Sequence, residues 1–171
     1  TIALAFSDTE DLSPEQYEAA SEILKSLEQA VAEHNQGKSS TKMTIRVTGT
    51  SSGGSLAAYA AHMNPSELVR ATAFNPKALP DNLKQKIQKE GDPNAVINIR
   101  NEADEGSDKD ALGSHIIVEN IFEKGLPHSD EESPKDRAHS LSYLILNMKT
   151  TMEEQNRSYY INEGLTNPDN Y

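Results

Sequence analysis

Between Thr44 and Ala61 the chain reads TIRVTGTSSGGSLAAYAA: the β-branched Ile45 and Val47, a knot of Gly and Ser, then a run rich in Ala. β-Branched residues favour an extended strand, Ala favours helix, and the glycines between them supply a turn with no Cβ to clash. At the centre, Gly49-Thr50-Ser51-Ser52-Gly53 fits the pattern G-x-S-x-G. A serine on such a strand-to-helix turn has its hydroxyl held above the sheet edge. The helix that follows aims its free N-terminal N–H groups at any negative charge that develops there. Ser51 is therefore the candidate nucleophile.

Other readings compete for the same letters. Thr48-Gly49-x-x-x-Gly53 is close to the dinucleotide turn of short-chain dehydrogenases, but the position of the third glycine is Ser55, and no Tyr has a Lys four residues on. A phosphate-binding P-loop needs a Lys after the glycines, and none follows. The plainest alternative is a turn serine bonded to its own backbone.

The rest of the chain sets this unit in an α/β frame. TIALAF at residues 1–6 suits a buried strand. Ser13-Pro14-Glu15-Gln16 is a helix start, with Ser as cap, Pro at the first helical position and Gln in the capping-box place. Tyr17, Ala20, Leu24, Leu27 and Val31 then recur at 3-4-3-4 spacing, which predicts one core-facing stripe. Further strands are predicted at 43–48, 67–74 and 95–99, with helices over 53–63 and 80–89 between them. HIIVENIF, from His115, reads as a strand or a short helix, and 123–137 as a charged loop. Leu141, Leu144, Ile145 and Met148 predict a helix over 138–149, with His139 in its first turn. Alternating strands and helices point to a parallel sheet with helices on its faces. The expectation is one α/β-hydrolase-like domain over 1–150, followed by a polar tail over 151–171.

With 171 residues, 35% of them hydrophobic, the core is modest and the surface polar. Asp plus Glu number 27 against 16 Lys plus Arg, a net charge of −11 that argues against nucleic acid or an anionic membrane as partner. No apolar run reaches the ~18 residues of a membrane span. The absence of Cys removes disulfide and thiol chemistry and leaves the compartment open, secreted or delivered included. No His pair stands at zinc-ligand spacing, and the acidic stretch 102–110 lacks the calcium-loop pattern, so no cofactor or metal is expected. The chain begins at Thr1 rather than Met, which leads us to expect an excised or N-terminally truncated core.

A serine hydroxyl needs a base to take its proton, and the base needs a third group to fix its tautomer. In the α/β-hydrolase order these follow the serine as Asp or Glu, then His. After Ser51 the acids at the end of the 95–99 strand are Glu102, Asp104, Glu105 and Asp108. The later imidazoles are His62, His115, His128 and His139. His34 and His62 read as surface helix residues and His115 as half-buried in a strand, which leaves His139 and His128 as candidate bases.

TIALAFSDT, VTGTSSGGSLAAYAA, ATAFNPKAL, AVINIRNEADEGS and AHSLSYL resemble, in order and spacing, five landmarks of the class 3 lipase family and its bacterial lipase-like relatives. The resemblance spans most of residues 1–145, and only the G-x-S-x-G elbow at Gly49–Gly53 is specific by itself. It implies Ser51 as nucleophile, Asp104 as orienting acid, His139 as general base, and Thr9 with the backbone N–H of Ser52 as the oxyanion hole. It further implies a small-molecule or lipid ester as substrate. The chain departs from the family at Asp8, where the family has Gly, at Thr50 for the usual His and at Ser52 for the usual Leu. The loop from 8 to 13 is too short for the lid helix of fungal members, and the family's leading strands have no counterpart. These departures support a second expectation: a catalytically inactive lipase-like fold or fragment that binds a protein partner completing it.

Overall fold

The computed structural model describes residues 1–8, 12–38, 42–118, 139–140, 144–145 and 148–149. The charged loop at 123–137 and the tail at 151–171 lie outside the described residues, as does much of the helix expected over 138–149. The chain forms two compact units, Thr1–Arg100 with Gly106–Ile116, and Asn101–Glu105 with Ile117–Tyr171.

Eight elements follow in order: β1 (Ile2–Phe6), α1 (Pro14–Asn35), β2 (Ile45–Thr50), α2 (Ser51–Met63), β3 (Val69–Phe74), α3 (Asp81–Glu90), β4 (Val96–Asn101) and β5 (Ser114–Val118). The strands form one sheet in the sequential order β1-β2-β3-β4-β5, and β1 to β4 run parallel. This is an α/β fold. Of HIIVENIF, the described residues His115 to Val118 lie in β5; the rest lies outside the described residues.

Register explains the core. Ile45 stands opposite Ile2 and Val69, and Val47 opposite Leu4 and Ala71, so apolar side chains line up in rows across neighbouring strands. Because successive side chains alternate faces, these rows present one apolar surface to the helices. On α1, Tyr17, Ala20, Leu24 and Val31 are buried and Leu27 is half-buried, as the stripe predicts. Its start also follows the sequence: the Gln16 side chain accepts the Ser13 backbone N–H at 2.8 Å.

The organising element is α2. Every residue from Ser51 to His62 is buried, and the helix packs against β1, β2, β3, α1 and α3. A helix apolar on all sides belongs inside. The ring of Tyr59 meets that of Tyr17 edge-on at 5.5 Å. Its hydroxyl donates to Glu18 Oε1 at 2.6 Å, an oxygen that also accepts Lys86 Nζ at 2.7 Å, so one carboxylate ties α1, α2 and α3 together.

Two expectations are corrected. Parallel crossovers are almost always right-handed, so a strand order that only ever steps one way sends α1, α2 and α3 to one face. On the other face Arg46 and Arg70, partners in register, are exposed, and Ile97 is 44% exposed. The sheet therefore carries helices on one face among the described residues, not on both. His62 is not a surface residue: it is fully buried at the end of α2, where Nδ1–H donates to the Asp92 carbonyl at 2.6 Å. No helix among the described residues is long and apolar enough to cross a membrane.

Candidate active site

β2 ends at Thr50 and α2 begins at Ser51 with no connecting loop. Ser51 makes the turn with φ of +53°, in the left-handed region that non-glycine residues seldom enter and that marks strained functional positions. The glycines on either side are required by close approach. A Cβ on Gly49 would collide with the Gly53 carbonyl, and a Cβ on Gly53 with the Phe6 carbonyl and, at 2.8 Å, with that of Ser7. A glycine at position 53, in the first turn of α2, costs helix stability, so its presence reflects the close packing of that turn against the end of β1. The expected helix start at 53 shifts to 51, because the serines themselves form the first turn.

The loop after β3 fastens over the same turn. Lys77 N–H donates to the Ser51 carbonyl at 3.1 Å, and the Ser55 hydroxyl donates to the Lys77 carbonyl at 2.6 Å. Asn75 takes up this bend with φ of +42°, a conformation Asn tolerates better than most residues. Ser51 is enclosed, with 3% of its surface exposed.

At the end of β1, Asp8 reaches the same place. Its Oδ1 accepts the backbone N–H of Ser52 at 3.2 Å and also the Ser52 hydroxyl. Burial acts to raise the Asp8 carboxyl. The two Ser52 bonds, the Lys77 charge and the Ser51 hydroxyl outweigh it, so the pKa falls below the ordinary carboxylate value and Asp8 is ionised at neutral pH. The N–H expected to hold the oxyanion thus already serves a carboxylate. Thr9, the other expected donor, lies outside the described residues.

The second unit carries an acid and an imidazole. Asn101 Oδ1 accepts the Ala103 N–H at 3.0 Å, and the Asn101 carbonyl accepts the Asp104 N–H at 3.1 Å. This side-chain-closed turn, typical of Asn, lifts Asp104 off the end of β4. Glu102 N–H donates to the Val118 carbonyl at 2.9 Å. The Asp104 side chain is wholly buried, and its Oδ2 accepts Nδ1–H of His139 at 2.7 Å. In a neutral imidazole that donates through Nδ1, the lone pair is on Nε2, the form a general base requires.

The other candidates are placed elsewhere. Asp108 pairs with Lys84 at 2.9 Å, and its N–H donates to the Pro76 carbonyl at 2.7 Å, which is a structural use. Glu102 and Glu105 are exposed. His115, expected to be half-buried, is exposed on β5 and bonds the Ala111 carbonyl at 2.7 Å. His34 is exposed near the end of α1, as expected. His128 lies outside the described residues. Sequence reasoning gave no role to Lys77, whose only signal was its position just after the β3 turn at Asn75-Pro76.

A cavity of about 360 Å³ in the first unit is lined by Arg46, Asn64, Arg70, Thr72, Asn94 and Ile97 among others, and by none of Ser51, Ser52 or Asp8. No protein-family model matches the chain, and no curated protein matches it. The functional reading therefore rests on the residues themselves.

Proposed function

We propose that the chain is a serine hydrolase that cleaves carboxylic esters through an acyl-enzyme on Ser51. The observation that carries the reading is the Asp104–His139 hydrogen bond at 2.7 Å, which joins the two residues proposed as orienting acid and base. The left-handed turn at Ser51 supports it from the nucleophile's side.

In this mechanism His139 Nε2 takes the Ser51 proton as Oγ attacks the ester carbonyl carbon. Asp104 holds the imidazole in its Nδ1–H tautomer and stabilises the imidazolium that forms. The tetrahedral oxyanion is met by the Ser52 N–H at the start of α2, with Thr9 as the second donor implied by the lipase resemblance. Collapse breaks the ester C–O bond, and His139 returns the proton to the departing alcohol. Water, deprotonated by the same imidazole, then attacks the acyl-enzyme and releases the acid and free Ser51. A lipid ester as substrate follows from the resemblance alone, as does the lipase name for the fold.

A second reading is favoured by Asp8. A carboxylate bonded to the Ser52 N–H is unfavourable for an oxyanion, so the domain would serve as a non-catalytic binding module whose partner completes the fold. A fluorophosphonate probe separates the two. Labelling of the full chain that disappears in Ser51→Ala supports the hydrolase. No Ser51-dependent labelling, under conditions where a control esterase reacts, supports the binding module.

A further inference from the structure

We propose that Asp8 is an internal stand-in for the oxyanion, and that the rate at which Ser51 reacts is set by how readily Asp8 releases the Ser52 N–H. The inference rests on the reading of Ser51 as nucleophile and concerns the regulation of that same site.

Ser52 directly follows the candidate nucleophile, and its N–H belongs to the first turn of α2. The first N–H groups of a helix have no partner within it and lie at the positive end of its dipole. An acyl-transfer site uses such a donor for the charge that appears on the carbonyl oxygen. Here Asp8 Oδ1 accepts from that N–H at 3.2 Å and from the Ser52 hydroxyl. The Ser51 hydroxyl and the Lys77 charge further favour the ionised form. The Ser52 N–H and the Ser52 hydroxyl thus converge on one carboxylate, and this pair of donors suits a developing oxyanion equally well. Two negative charges do not share it: a tetrahedral intermediate forms when Asp8 has withdrawn.

Position 8 can take this role because of where β1 ends. Phe6 stands opposite Gly49 in register, and the Phe6 and Ser7 carbonyls lie against the site of a Gly53 Cβ. The chain therefore leaves β1 in contact with the α2 turn, and the side chain two residues on from Phe6 reaches Ser52. With Gly at this position the donor would be open; with Asp it is held by the protein's own charge.

The experiment compares the rate constant for fluorophosphonate labelling in the full chain, Asp8→Asn and Asp8→Gly, each with and without Ser51→Ala, after circular dichroism has established folding. Loss of one oxyanion donor costs on the order of 10²–10³ in rate, so freeing one is expected to accelerate Ser51-dependent labelling by roughly 10-fold or more in Asp8→Gly. Asp8→Asn, which keeps the shape and removes the charge, is expected to fall between Asp8→Gly and wild type and serves alone if the glycine variant does not fold. Ser51-dependent labelling that is unchanged or slower in both variants overturns the inference and leaves the hydrolase reading standing. No Ser51-dependent labelling in any variant, with the control esterase reacting, overturns the hydrolase reading and this inference with it. The Ser52 amide proton gives a readout independent of turnover. It is expected downfield in wild type and to move upfield in Asp8→Asn; an unmoved resonance contradicts the contact itself.

Discussion

Asp104 and His139 are 35 residues apart in the chain, yet Oδ2 of a fully buried carboxylate accepts Nδ1–H of the imidazole at 2.7 Å. Burying a carboxylate is costly unless it is paired, and this bond supplies a partner.

If the pair acts as orienting acid and base, Asp104→Asn lowers kcat for ester hydrolysis by on the order of 10³–10⁴ and changes KM little, because the amide favours the wrong imidazole tautomer. His139→Ala lowers it comparably, and the double variant is no worse than the lower single one, since residues of one relay act as a unit. Steady-state kinetics on a soluble ester check this. Near wild-type kcat in Asp104→Asn would remove the acid from the mechanism.

Backbone strain at position 51 gives a second expectation, read in stability rather than rate. Ser51 holds φ of +53°, which costs a non-glycine residue about 1–2 kcal/mol. Ser51→Gly relieves the strain and Ser51→Ala keeps it, so the glycine variant is expected to be more stable than the alanine variant by about 1 kcal/mol in urea unfolding. Equal midpoints would mean that the turn stores no strain.

The glycine at 53 is a packing requirement. A Cβ there meets the carbonyls of Phe6 and Ser7, both backbone and unable to swing aside. Gly53→Ala is expected to destabilise by about 1–3 kcal/mol, the usual cost of overpacking, even though alanine is the better helix former. A neutral or stabilising result in the same unfolding assay would show that α2 and β1 are not in such contact.

How much of this was legible in the sequence depended on how local each signal is. The elbow could be read because Gly49, Ser51 and Gly53 answer to a single turn, and the start of α1 because Ser13 and Gln16 are three residues apart. Among the four candidate acids only the lipase resemblance singled out Asp104; residue type and spacing did not rank them, since burial of Asp104, exposure of Glu102 and Glu105, and the pairing of Asp108 with Lys84 are products of tertiary packing. The one-sided sheet was missed because strand order is not written in the alternation of strands and helices. His62 was misjudged for a different reason: AAYAAHM has no polar face to turn toward water, and that local signal of a buried helix was available. Asp8 stood out as a departure from Gly, but its bond to Ser52 joins residues 44 apart and came only with the fold.

His62 also sets a pH dependence. Burial holds its pKa below the ordinary value of 6.5, against the pull of the Asp92 and Leu112 carbonyls and the Asp92 charge. The unfolded chain therefore binds this proton at higher pH than the folded one does. The stabilising contribution is complete above pH 6.5 and is lost as pH falls below 6.5 toward the lowered folded value. Urea midpoints between pH 8 and pH 5, both chosen to bracket about 6.5, are expected to fall more steeply in wild type than in His62→Gln. Parallel curves would contradict a neutral buried imidazole.

The most direct measurement of the central claim is to map the fluorophosphonate adduct by peptide mass spectrometry of the labelled full chain. A single phosphonyl group on Ser51, absent in Ser51→Ala, is the predicted result. An adduct on Ser52 or elsewhere, or none at all while a control esterase is modified, would contradict Ser51 as the nucleophile.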